Sequence, residues 1–142
     1  MRIADLLAQK GNAVLTVTPD DPVASLLEVL AERNVGAAVV CEDDRLVGIV
    51  SERDVVRHLH RRGAPLLDAP ISEIMTTVVA TCRANDDVQT LSRTMTEKRI
   101  RHVPVVDDTG KLTGIVSIGD VVKSRIDQLE EHRSQLEAYI SG

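Results

Sequence analysis

Two pairs of side chains stand out by type and spacing: Ser51 with Asp54, and Ser117 with Asp120. Each pair belongs to the pattern G-x-x-S-x-x-D followed by two valines, once in LVGIVSERDVV (Leu46 to Val56) and again in LTGIVSIGDVV (Leu112 to Val122). A hydroxyl three residues ahead of a carboxylate has two uses. At a helix start it forms a capping box, in which the hydroxyl accepts from a free backbone N–H and the carboxylate sits at the positive helix end. After a buried strand such as G-I-V it also marks a ligand site, because strand ends that face helix N-termini in α/β folds are where ligands bind. Two copies in the same context favour a site; the capping role stays open beside it.

Other chemistry finds little support. His58 and His60 are two apart on an expected helix and so do not share a face, and no cysteine or carboxylate completes a metal set with them. There is no Ser/His/Asp order and no Gly-rich phosphate loop. With a net charge of −5 the chain is not drawn to nucleic acid or to an anionic membrane. Aromatic residues make up 1% (Tyr139 alone), which rules out a stacking platform for single-stranded nucleic acid. Cys41 and Cys82 lie far apart in apolar stretches and read as small core residues of a reducing compartment. No apolar run approaches the roughly 18 residues of a membrane span, and MRIADLLAQK lacks a signal-peptide core, so a cytoplasmic protein is expected.

The elements that must position the two motifs repeat as well. The strings recur at an offset of 66 positions (112 − 46), and such self-similarity implies one structural unit used twice. In the first copy, Arg2 to Gln9 is amphipathic and Ala13 to Val17 is a short strand. Pro22 to Asn34 is a helix with Val23, Leu26, Leu27, Leu30 and Ala31 on one face. Ala37 to Cys41 and Leu46 to Val50 are small apolar runs suited to buried strands, and Ser51 opens a helix reaching about His60. In the second copy, Ile71 to Met75 answers Ile3 to Leu7, and Val78 to Cys82 answers Ala13 to Val17. Asp87 to Arg99 answers Pro22 to Asn34, and His102 to Val106 and Leu112 to Val116 are the two strands. The divisions expected are residues 1–62 for the first repeat, 63–70 for a connector broken by Pro65 and Pro70, 71–126 for the second repeat, and 127–142 for a C-terminal extension. A last helix from about Asp120 to Ser141 carries Val122, Ile126, Leu129, Leu136 and Ile140 as a stripe, to be covered by its own domain or by a second copy.

Two tandem β-α-β-β-α units, each with a GIVS-x-x-D string, resemble a pair of cystathionine-β-synthase (CBS) domains, also called a Bateman module. The resemblance spans practically the whole chain and is most specific in RIRHVPVVDDTGKLTGIVSIGDVV, Arg99 to Val122. It implies an α/β fold of two pseudo-symmetric repeats packed as one module. It also implies a regulatory ligand, an adenine nucleotide such as AMP, ADP or ATP, with S-adenosylmethionine or NAD less common. By resemblance Asp54 and Asp120 take the ribose diol, through charge-assisted hydrogen bonds of roughly 1.5–3 kcal/mol each. Ser51 and Ser117 bond the ribose or a phosphate oxygen. Ile49 and Ile115, with Leu15, Ala80, Val35 and Ile100, wall the adenine. Arg99, Arg101, His102 and Arg53 answer the phosphates, and each cleft is shared between the halves.

The halves differ, however. Gly36-Ala37 stands where Arg101-His102 stands in the second copy, Val39 stands where Pro104 keeps the family's usual proline, and Gly119 replaces Arg53. Equal affinity of the two clefts is therefore not expected. The reading as a whole is a non-catalytic nucleotide sensor with no required cofactor, acting through a conformational or dimer change, as a homodimer with an unidentified protein target. The rival is a structural dimerisation module with vestigial clefts.

Overall fold

The computed structural model describes residues 1–77 and 80–141. Helix α1 (Ile3–Lys10) leads into a two-residue strand β1 (Thr16–Val17), helix α2 (Val23–Arg33) and the hairpin β2 (Ala37–Glu42) and β3 (Arg45–Ser51). Helix α3 (Glu52–Arg62) follows directly. Two short 3-10 turns, Ala64–Asp68 and Ile71–Glu73, then carry the chain to α4 (Val88–Lys98), β4 (His102–Val106), β5 (Leu112–Ser117) and α5 (Ile118–Ser141). The mixed α/β repeat is the one expected from the sequence. Of the expected strand 78–82, Val78 and Val79 lie outside the described residues, while Cys82 bridges Val105 in parallel. The expected strand 13–17 shrinks to Thr16 and Val17, which pair in parallel with Val39 and Val40.

Apolar spacing decides which face each helix buries. Val23, Leu26 and Leu30 of α2 are buried, as are Val88, Leu91 and Met95 of α4. Ala31, expected on the buried face of α2, is exposed, because the stripe turns away from the core after Leu30. Asn34 ends α2 and Arg99 ends α4, both in the left-handed conformation, with φ of 53° and 54°. Asparagine tolerates that region; arginine rarely visits it.

The apolar residues form two clusters, and the clusters trade elements. The first gathers Val23, Leu26, Val40, Val50, Leu66, Ile71 and Ile74. The second gathers Ile3, Leu6, Leu7, Leu91, Met95, Val103, Val105 and Val116. The N-terminal helix thus packs into the second repeat, and the segment Ile71 to Ile74 packs into the first. Each repeat is completed by the piece that precedes the other. Burying a side chain such as Leu6 or Ile71 is worth about 1.5–3 kcal/mol, so neither half keeps its core if the exchange is undone.

The C-terminal helix departs from one of the expectations. Only Val121 and Ser124 of α5 are buried. Val122, Ile126, Leu129, Leu136 and Ile140 are all at least 49% exposed. Packing of this stripe on its own domain is therefore ruled out: the seam facing the core is offset by one residue from the apolar stripe, and the last turns run beyond the core.

Candidate ligand-binding site

Strand β3 delivers Ser51 to the start of α3, and the first turn of that helix is fully capped. The Ser51 N–H donates to Asp54 Oδ2 at 2.8 Å, the Ser51 hydroxyl donates to the same oxygen at 3.2 Å, and Ser51 Oγ accepts from the Asp54 N–H at 3.4 Å. The capping role is real, but it engages one carboxylate oxygen. Asp54 Oδ1 meets only a long contact from the Thr76 hydroxyl, 3.4 Å, at the weak end of the hydrogen-bond range.

That free oxygen borders a cavity of about 540 Å³. Ile49, Ser51, Arg53 and Asp54 line it from the first motif, with Gly36 beside them. Ala80, Ile100, Arg101, His102, Ser117 and Gly119 line it from the second half. Gly36 keeps the wall open: a Cβ there would stand 3.3 Å from Glu52 Oε1. Sequence reasoning did not include Glu52, Arg57, Thr76, Thr77 and Ile118, which also line the cavity. Arg57 had a signal, since it lies one helical turn after Arg53 and so on the same face. The two threonines had none, because only the exchange of segments brings them to the first motif.

Charge is concentrated here against the trend of the chain. Arg53, Arg57, Arg99 and Arg101 line the cavity together with the carboxylates Glu52 and Asp54. Four cations against two anions, in a chain of net charge −5, make this concavity an attractor for anions. None of these four arginines is salt-bridged among the described residues. Partial burial lowers the pKa of His102 below the ordinary 6.5, Arg101 and Lys10 lower it further, and Asp120 and Glu52 pull it back.

The remaining expected residues do not line this cavity. Leu15, Val35, Ala37, Ile115 and Asp120 are, in repeat register, the counterparts of Ala80, Ile100, His102, Ile49 and Asp54. Of these, only Ile115 and Asp120 belong to the second motif. Pro104 is buried and pairs with Ile115 across the β4–β5 hairpin. Around Asp120 the chemistry differs. Its Oδ2 accepts from the Ser117 N–H at 2.9 Å, as in the first motif, but also from the Lys10 ammonium at 2.5 Å. The same ammonium donates to the Ile115 carbonyl at 2.8 Å. Burial pushes the Asp120 carboxyl up, but the bonds from Lys10 and Ser117 and the Lys10 charge outweigh it and hold it below the usual carboxylate range.

Two repeats with this geometry match the CBS domain twice, over residues 5–61 and 71–127. The chain belongs to the CBS-domain family. As a CBS pair it is 36% identical, over 99% of its own length and 72% of the relative's, to a mitochondrial CBS domain-containing protein of Arabidopsis thaliana. The crystal structure of a CBS-domain protein of Agrobacterium tumefaciens superposes with a TM-score of 0.84 at 41% identity, covering 88% of this chain and 99% of that one. A CBS-domain protein of Pyrobaculum aerophilum, solved in complex with AMP, superposes with a TM-score of 0.75 at 31% identity, covering 84% and 89% of the two chains. Among the described residues of this CBS pair, no helix is long and apolar enough to cross a membrane.

Proposed function

We propose that this CBS pair is a regulatory module that binds an adenine nucleotide of the AMP, ADP or ATP type in the cavity beside Asp54. One observation carries the reading: a single concavity joins a carboxylate with a free oxygen, suited to a ribose diol, to four arginines suited to phosphate. Its volume of about 540 Å³ lies within the roughly 300–1,000 Å³ of small-molecule sites. Ile49, Ala80 and Ile100 supply apolar walls for the base, and the AMP complex of the Pyrobaculum aerophilum relative supports the choice of ligand class. The cavity wall is shared by both repeats, so a ligand there favours one arrangement of the halves by its differential affinity for it. The apolar stripe of α5 suits a homodimer, through which that preference reaches a protein target. No catalytic step is assigned to the chain, and the cytoplasm remains its expected compartment.

Thermal melting with AMP, ADP, ATP, NAD and S-adenosylmethionine tests this. A true ligand at a hundred times its Kd adds about 2.7 kcal/mol of stability. Stabilisation by none of the five overturns the proposal.

A structural dimerisation module is the second reading, and one observation favours it: capping boxes account for one oxygen of each motif carboxylate. It predicts stability indifferent to nucleotides and sensitive to substitutions at Leu129 and Leu136.

A further inference from the structure

Thr76 and Lys10 hold matching places in the two halves. Thr76 pairs through its backbone with Ile49 and touches Asp54 with its hydroxyl. Lys10 reaches Ile115 and Asp120, the counterparts of Ile49 and Asp54 one repeat later. The occupants differ in chemistry. A hydroxyl at 3.4 Å leaves Asp54 without a cationic partner among the described residues, whereas an ammonium at 2.5 Å pairs with Asp120, in a pair whose side chains are only 28% and 24% exposed.

Resting on the nucleotide reading above, we propose that Lys10 is an internal stand-in for ligand at the second motif, so that the chain takes nucleotide at Asp54 and not at Asp120. A sugar diol can reach Asp120 only by displacing the ammonium from both the carboxylate and the Ile115 carbonyl. Several features hold the ammonium there. Lys10 closes α1, and Gly11 follows at φ 96°, a conformation that ends the helix. Ile3, Leu6 and Leu7 anchor the same helix in the second core. Lys10 is therefore delivered by a packed element rather than by a loose arm. Lys10 thus acts as a specificity-determining residue, setting the number of sites without touching the ligand at the open one.

Titration calorimetry with AMP or ADP, whichever stabilises the wild type, decides the matter. The wild type is expected to saturate at one nucleotide per chain, and Lys10→Thr, which installs the residue type of the open site, at two. In an Asp54→Ala background the original Lys10 should leave only the weakened first site, about ten- to a hundredfold down in affinity, and Lys10→Thr should add a second, tighter site that is lost again with Asp120→Ala. Lys10→Met, which keeps the aliphatic stem and removes the charge, serves if Lys10→Thr fails to fold. Two sites in the wild type, or one in both wild type and Lys10 variants, overturns the stand-in role while leaving the nucleotide reading intact. Binding to neither overturns the nucleotide reading, and this inference with it.

Discussion

Ile49 and Thr76 exchange both backbone hydrogen bonds, at 2.9 and 2.8 Å, although they belong to different CBS repeats. This bridge pins the start of the second repeat to the last strand of the first, immediately beside the cavity. It also leaves no room above Gly48, where an added Cβ would stand 2.9 Å from the Thr76 carbonyl oxygen and 3.0 Å from the Met75 sulfur.

Gly48→Ala is therefore expected to break the bridge. The clash is with backbone and cannot be relieved by rotating a side chain, so a loss of about 1–3 kcal/mol is expected. Gly119→Ala, whose Cβ would meet only Ser117 Oγ at an ordinary 3.6 Å, should cost far less. Urea denaturation of the two variants measures the difference; equal midpoints would refute the role of the bridge.

Asp54→Ala should weaken nucleotide binding by about ten- to a hundredfold, the loss of one charge-assisted hydrogen bond, and cost about 1 kcal/mol as a lost cap. Asp120→Ala removes the equivalent cap at the Lys10-tethered motif. Its effect on affinity should stay within about threefold, or roughly 0.6 kcal/mol. Calorimetry on both variants separates the carboxylates; equal losses would contradict the assignment of ligand to the first.

Arg99 bears a left-handed backbone at the cavity edge, where its counterpart is Asn34. Arg99→Asn is expected to hold or raise stability by up to about 1 kcal/mol, since asparagine accepts that conformation more readily. Nucleotide affinity should fall, more for ATP than for AMP if Arg99 meets the outer phosphates. A variant that binds as the wild type does would remove Arg99 from the site.

Acid should weaken the fold in two windows. The folded pKa of His102 lies below its ordinary 6.5, chiefly through burial, so the unfolded chain binds more protons as pH drops through 6.5. Stability is then lost from that point until the folded pKa is passed. For Asp120 the folded pKa lies below the ordinary 3.8, so its contribution, present above 3.8, disappears as pH falls through the folded value. His102→Gln should flatten the profile just below pH 6.5 and leave the Asp120 window unchanged. A slope that survives in the variant would place its origin elsewhere.

Leu129 and Leu136 are 53% and 49% exposed, so replacing them removes little buried core. Leu129→Glu with Leu136→Glu should leave the melting temperature of the isolated chain nearly unchanged and raise the dimer dissociation constant at least tenfold, about 1.4 kcal/mol. Analytical ultracentrifugation reports this directly. A wild type that sediments as a monomer at all concentrations would refute the homodimer.

Much of this architecture was legible because its signals are local. The spacing of Val23, Leu26 and Leu30 marks α2, the small apolar runs mark β2 to β5, and the recurrence of G-x-x-S-x-x-D reveals the repeat before any fold is known. Less was legible where an element depends on a distant partner. Strand β1 is shorter than its apolar run because only Thr16 and Val17 find β2, and the stripe on α5 turned out to miss the core by one residue.

The residue types at the two motifs, and the expectation that the halves differ, came from the sequence by itself, since both rest on letters compared in register. Which motif faces an open cavity did not. That was decided by the exchange of α1 and residues 71–74 between the two cores, which brings Lys10 to Asp120 across 110 positions and Thr76 to Asp54 across 22. Neither pairing has a periodicity to betray it. Each exists because a hydrophobic segment gained more by packing in the other repeat than in its own.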